Sequence, residues 1–457
     1  MKCKECTRGG GFPLKGDGFS RRRFLKVAGT GIVASWFADV FDPRLLRAQA
    51  APGVNLRNTA KNCIFIFLAG APSHVDTWDF KEGAWTPSDF TPDTFNNVRF
   101  PRGLMPKTAE HLDKLTFVRS GLAWAAVHQL GQTWAQIARN PGGATGAIAP
   151  HIGAVVSLEA QAKRGPGDVL PAFIALNAGS IPGSGYLPAK YAPFGVETAS
   201  TGLATLSHPD GTARFTDRWS LLHTIDKNRT SGALGKLSLD MNDFYDQSKT
   251  LMDAPGINDL FSFTDAEHAS YGASTFGDSL IVARNLVKAG RGTRFVQATF
   301  GGWDHHSAIY DKNAANSLYS QSAQFDPAFG ALITDLEASN LLDETLIVVL
   351  AEFGRTTGVL NDQGGRDHFL RMSVAFAGGG TRGGRVIGQT DALGSDVVDF
   401  GWSENRDIRP EDITCTIYSA LGIDYTTVRH DDPLGRGFEY VPFAKDEVYR
   451  PVDELFV

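Results

Sequence analysis

The chain has 457 residues, of which 42% are hydrophobic and 21% charged, and its 44 Lys and Arg against 50 Asp and Glu leave a formal charge of −6. This balance excludes recognition driven by phosphate neutralisation, so nucleic acid is not an expected partner. Four cysteines in such a length exclude a scaffold built on disulfides.

The first fifty residues read as an export leader. Ser20-Arg21-Arg22-Arg23-Phe24-Leu25-Lys26 fits the twin-arginine pattern at each defined position. An apolar stretch from Val27 to Val40, interrupted by Asp39, follows, and Ala48-Gln49-Ala50 supplies a small-x-small cleavage site. Cleavage after Ala50, engagement of the twin-arginine export machinery and a periplasmic or secreted location are the expectations. The leader carries ten basic and four acidic residues, so its removal leaves −12 on the remainder. Cys3 and Cys6 leave with it, while Cys63 and Cys415 sit in apolar runs and read as buried thiols rather than a pair. No later apolar run approaches the ~20 residues of a spanning helix, so the mature chain is expected to lack a membrane span.

Residues 61–70 (KNCIFIFLAG) form a continuous apolar run closed by Gly, as in a strand buried on both faces. Residues 115–120, 172–176, 293–300, 345–350 and 372–377 are further strand candidates, of which 345–350 (TLIVVL) is the clearest. Residues 279–289 show helical spacing and stop at Gly290, and a helix from Pro327 would put Phe329, Ile333 and Leu336 on one face. Alternation of this kind predicts an α/β fold: a three-layer α/β/α sandwich with a mostly parallel central sheet, in a single domain over 51–457. Residues 165–264, rich in Gly, Pro, Ser and aromatics, break the rhythm and read as an irregular insertion over the sheet edge. The glycines and arginines of 378–385 lack a phosphate-loop ending and read as a hairpin turn.

Three of these strands run into polar loops. The first leads to Ser73, His74, Asp76, Thr77 and Asp79; the strand ending at 300 leads to Asp304-His305-His306; the strand ending at 350 leads to Glu352 and Arg355, with Arg366-Asp367-His368 shortly after. Loops after the C-termini of parallel strands share one edge of a sheet, where ligands bind. Carboxylates and imidazoles gathered there, with no thiolate, suit a borderline or hard divalent cation.

The same residues carry a family resemblance. Gly70 to Asp79, Tyr271-Gly272, the Ala283-to-Gly290 segment, Gly302-Trp303-Asp304-His305-His306, Glu352-Phe353-Gly354-Arg355-Thr356, Gly364-Gly365-Arg366-Asp367-His368, Gly388-Gln389-Thr390-Asp391 and Leu421-Gly422-Ile423-Asp424 occur in order. Over nearly its whole length the chain resembles the twin-arginine-exported family known as domain of unknown function 1501, of the alkaline phosphatase and sulfatase clan. The resemblance implies an alkaline phosphatase-like fold and one or two metal ions of zinc, calcium or manganese at the sheet edge. Asp304, His306 and His368 would hold one ion, and Asp76 or Asp79 with Glu352 would face the other. Where the clan places Asp-His, this chain has Glu352-Phe353, so an imidazole is missing there. Sulfatase and phosphatase nucleophile signatures are absent from the sequence; by position the candidates are Ser73, Thr77 and Thr133, the last in His128-Gln129-Leu130-Gly131-Gln132-Thr133. Arg355 or Arg366 would counter developing negative charge. Two functional readings follow: an exported metal-dependent hydrolase of small-molecule or polymer phosphate or sulfate esters, and a non-catalytic exported binding or assembly protein on the same scaffold.

Overall fold

The computed structural model describes residues 54–204, 206–227 and 231–456; the leader over residues 1–50 lies outside them. Eight strands form the main sheet: β1 (Asn62–Leu68), β2 (Leu115–Leu122), β3 (Phe173–Leu176), β4 (Phe194–Val196), β5 (Phe295–Phe300), β6 (Thr345–Leu350), β7 (Arg371–Ala377) and β8 (Arg385–Ile387). Their order across the sheet is β8-β2-β7-β6-β1-β5-β3-β4. Every pairing is parallel except those of β7, which runs antiparallel to both β2 and β6.

Alternation along β1 shows why the sheet has two covered faces. Ile64, Ile66 and Leu68 join one core with the helices Thr275–Ala289 and Leu318–Ala338. Cys63, Phe65 and Phe67 join the other with the helices His128–Ile137, Ile152–Ala160 and Pro410–Ala420. The layers are thus helix, sheet, helix, with β1 between β5 and β6 at the centre. Cys63 and Cys415 are free and buried, and burial pushes their thiols up. Among the described residues no helix is long and apolar enough to cross a membrane.

Three expectations change in detail. The helix read as starting at Pro327 begins at Leu318, capped by the Ser317 side chain, and carries Pro327 in its interior. The apolar spacing after Pro327 looked like a helix start because a proline is tolerated best in the first turn. Residues 378–384 do not make a hairpin: β7 and β8 lie on opposite sides of β2, so this loop crosses the end of β2. A Cβ on Gly383 would stand 2.1 Å from the Asp113 carbonyl oxygen and 2.4 Å from Lys114 Cα, which is why glycine occupies the crossing. Within residues 165–264, β3 and β4 belong to the sheet itself, and the helices Gly211–Ile225 and Lys236–Asp253 follow them.

The buried His151 caps the helix Ile152–Ala160 by accepting the Gly153 N–H at Nδ1, and it packs on Phe173 and Phe295. Burial lowers its pKa from 6.5 to about 3. A histidine depressed in the folded state contributes stability above its unfolded pKa and loses it as pH falls towards the folded value. Over the 1.5 units from pH 6.5 to pH 5, the loss is about 2 kcal/mol. Thermal melts at pH 7.5 and pH 5 should therefore show an acid-induced drop in Tm that is smaller in His151→Asn, which keeps a capping acceptor but does not titrate.

Candidate metal centre

Parallel strands place the loops after β1, β2, β5 and β6 at one edge of the sheet. The reversed direction of β7 brings its start, and the residues just before it, to that same edge, since Arg371 pairs with Leu122 at the C-terminal end of β2. His368 therefore arrives from a strand beginning, while Asp304 and His306 arrive from the β5 end and His128 from the helix after β2. A short antiparallel ladder, His368 with Arg355 and Phe369 with Gly354, fixes the approach.

Four side chains converge there: one ligand atom each from His128, Asp304, His306 and His368 lies within 4.8 Å of the others. Asp304 Oδ1 is 3.1 Å from His306 Nε2, 3.2 Å from His128 Nε2 and 3.7 Å from His368 Nε2. The His306 and His368 Nε2 atoms face each other at 2.9 Å. Ligand atoms bound tetrahedrally to zinc at about 2.0–2.1 Å stand roughly 3.3 Å apart, close to this spacing.

Each imidazole is held from behind by an oxygen. His128 Nδ1 meets Glu352 Oε1 at 2.7 Å, His306 Nδ1 meets Asp367 Oδ1 at 2.9 Å, and His368 Nδ1 meets the Ala126 carbonyl oxygen at 2.8 Å. Carbonyl and carboxylate oxygens only accept, so each Nδ1 carries the proton and each Nε2 presents a bare lone pair to the centre. His128 Nε2 is buried and makes no hydrogen bond. Neutral rings facing at 2.9 Å beside a carboxylate need a proton or a cation between them; the Arg355 guanidinium lies 3.4 Å from His306 Nε2, and three imidazoles with one carboxylate are a donor set that fits a divalent ion.

The electrostatics agree with this arrangement. Its contact with Glu352 raises the His128 pKa, whereas burial lowers that of His368. Burial alone would raise the Asp304 carboxyl, but the hydrogen bond and charge of Arg355 hold it below the usual range. Glu352 Oε1 also accepts the Gly70 N–H at 2.9 Å and the Gln132 amide at 3.0 Å, tying the β1 loop and the post-β2 helix to the ring of His128. Gly70 is required at that point. Its φ is +106°, and a Cβ would stand 2.7 Å from the backbone nitrogens of Trp303 and Asp304.

Of the remaining site residues singled out in the sequence, Glu352 and Arg355 touch this cluster, while Asp76, Asp79, Arg366, Ser73, Thr77 and Thr133 have other surroundings. Asp76 is buried against Arg366, with Nε to Oδ2 at 2.7 Å, and accepts the Tyr310 hydroxyl at 2.7 Å. Asp79 is buried against Lys81 at 3.2 Å, Arg119 at 3.3 Å and the Thr390 hydroxyl. Neither aspartate has a hydrogen bond to Glu352, whose Oε1 faces His128 and whose Oε2 is buried with no hydrogen-bond partner among the described residues. Arg355 is fully buried; it donates to the Ala71 carbonyl at 2.8 Å, the Gly70 carbonyl, the Arg366 carbonyl at 3.2 Å and Asp304 Oδ1 at 2.6 Å. Arg366 spends its donors on Asp76, Tyr310 and the carbonyls of Thr356 and Gly358. Both guanidiniums are thus struts for the loops. Of the hydroxyls, Thr77 donates to the Ser73 carbonyl and Thr133 to the Gln129 carbonyl; Ser73 Oγ is buried with no partner among the described residues. The residue sequence reasoning missed is His128. The available signal was its position just after β2, at the same edge as the other loops, and it supplies from another element the imidazole absent beside Glu352.

Removing one member of the buried Asp76–Arg366 pair leaves a buried charge unpaired, at a cost of about 3–5 kcal/mol. Asp76→Asn should lower Tm steeply while zinc binding, measured calorimetrically below that Tm, keeps the wild-type stoichiometry. Glu352→Gln should keep the fold and weaken zinc by about 10–100-fold, the usual penalty for losing a carboxylate behind a ligating histidine.

Comparison with solved structures finds distant similarity over most of the chain. The PsFucS1 sulfatase from a Pseudoalteromonas species is 12% identical with a TM-score of 0.39, covering 80% of this chain and 68% of that one. A phosphonate monoester hydrolase from Silicibacter pomeroyi is 10% identical with a TM-score of 0.41, covering 87% and 76%. An alkaline phosphatase superfamily protein from Vibrio parahaemolyticus is 9% identical with a TM-score of 0.38, covering 86% and 76%. Comparison with curated proteins finds no match. The family model described as protein of unknown function (DUF1501) matches residues 60–448, and the chain belongs to that family.

Proposed function

We propose that the protein is an exported hydrolase that holds one divalent ion, zinc by the character of its ligands, at His128, Asp304, His306 and His368, and cleaves a phosphate or sulfate ester. The observation that carries this reading is the convergence of three Nε2 lone pairs and one carboxylate oxygen within 4.8 Å, with every Nδ1 held by an acceptor. When bound, such an ion supplies Lewis acidity to an ester oxygen and lowers the pKa of a water.

The chain's own residues set the rest. Glu352, Asp367 and the Ala126 carbonyl fix the imidazole tautomers, and Arg355 holds the Asp304 carboxylate in its ionised form. Asp304 and His306 are 48% and 41% exposed at their side chains, so a substrate reaches the centre from solvent. Asp367 stands behind His306 Nδ1, away from the centre, so the proton of an attacking water passes to the solvent that the open side admits. Water is the attacking group in this reading, because Thr77 and Thr133 commit their hydroxyl protons to backbone carbonyls and Ser73 has no base beside it. Delivery by the twin-arginine route, which carries folded proteins, rests on Arg21 and Arg22 in the leader.

The test is metal content followed by turnover. Purified mature protein should bind zinc at one ion per chain and hydrolyse a chromogenic phosphate or sulfate ester, with His306→Ala and His368→Ala each reducing kcat/KM by at least 100-fold. Tight binding of one ion with no turnover of either ester class would replace the hydrolase by the binding or assembly reading. Export is tested separately: Arg21→Lys with Arg22→Lys should retain the unprocessed precursor in the cytoplasm.

A further inference from the structure

The loop between β6 and β7 lies directly on the backbone that carries His306. The Ala308 N–H donates to the Gln363 carbonyl at 3.1 Å, the Ile309 N–H to the Gly364 carbonyl at 2.9 Å and the Arg366 N–H to the His305 carbonyl at 2.8 Å. A Cβ on Gly365 would stand 2.1 Å from the His306 carbonyl carbon, so glycine is what lets the two segments meet.

One side chain ties this junction. The Asn361 Nδ2 donates to the His306 carbonyl at 3.0 Å and to Asp367 Oδ1 at 3.3 Å. Its Oδ1 accepts the Gln363 N–H at 3.1 Å and the Gly365 N–H at 2.9 Å. All four hydrogen-bonding positions of the amide are thus used, and acceptors at one end with N–H groups at the other leave it a single orientation. The same Asp367 oxygen takes the His306 Nδ1 proton at 2.9 Å. Asn361 therefore holds His306 twice, through its main-chain carbonyl and through the carboxylate behind its ring.

The second hold matters because that carboxylate is otherwise weakly anchored. The Asp367 side chain is 58% exposed. An exposed pair contributes little by itself, since water competes for the carboxylate and the side chain loses rotamer freedom on pairing. The other two rings need no such help: His128 is backed by the buried Glu352, which two further donors hold, and His368 by the main-chain carbonyl of Ala126. An aspartate at position 361 would set a second carboxylate against Asp367 where the amide now donates.

Resting on the metal-centre reading above, we propose that Asn361 is a positioning residue for that centre, fixing the Asp367 carboxylate behind His306 and thereby the direction in which His306 presents Nε2.

Zinc affinity of the mature protein, together with the proton NMR signals of its imidazole Nδ1–H groups in the zinc-loaded state, tests this without requiring turnover. Asn361→Ala should bind zinc about 10-fold more weakly, the lower end of the penalty for losing a partner behind a ligating histidine. Asn361→Asp keeps an acceptor for the Gln363 and Gly365 N–H groups, so it carries the test should the alanine variant fail to fold. Its added charge by itself favours a cation, yet it should bind zinc more weakly than the wild type. In both variants the His306 Nδ1–H signal should broaden through faster exchange with water, while those of His128 and His368 stay in place. Unchanged affinity with an unchanged His306 signal, or equal perturbation of all three ring signals, would overturn the inference while one zinc per wild-type chain leaves the metal reading standing. A wild-type protein that binds no zinc would overturn both.

Discussion

Three imidazoles cannot point bare nitrogens at one another and at a carboxylate without something positive among them. That constraint organises the edge of the sheet. It is met from four directions: from the ends of β5 and β2, from the start of β7, and from the oxygens behind each ring. The antiparallel β7 is what closes the set, because in an all-parallel sheet the residues before that strand would lie at the opposite edge. One reversed strand thus brings His368 to within 2.9 Å of His306, 62 positions away in the chain.

Ion pairs hold the loops around the centre, and those of Asp76 and Asp79 are buried. Asp76 with Arg366, Asp79 with Lys81 and Arg119, and Arg355 with Asp304 pin the loops after β1, β5 and β6 to one another. Such pairs add little net stability, since desolvation consumes most of the Coulombic gain, but breaking one is expensive. Their physical role is to make one loop arrangement far better than its neighbours, which is what a ligand set needs if its atoms are to stay a few tenths of an ångström from ideal spacing.

The strands were legible because the central ones are buried on both faces and read as unbroken apolar runs: 345–350 is a strand over its whole predicted length, and 61–70 contains β1. Pro327 was misleading because the sequence shows a proline's preference for a first turn but not the Ser317 cap upstream that starts the helix. The rule that loops after parallel strands share an edge led from sequence to Asp304, His306 and His368. After β2 the same rule points to the segment His128–Thr133, where the sequence does not distinguish the imidazole that reaches the centre from the hydroxyl that bonds the Gln129 carbonyl. Asp76 and Asp79 show the converse limit. A carboxylate in a post-strand loop looks the same in sequence whether it faces a cation or an arginine, and the arginines that claim these two come from residues 40 and 290 positions away.

X-ray absorption at the zinc edge, on the mature protein loaded with one equivalent, addresses the centre most directly. The account predicts a first shell of three imidazole nitrogens and oxygen at about 2.0–2.1 Å, with one nitrogen lost in His128→Ala. A shell dominated by oxygen, or one unchanged by that substitution, would contradict it.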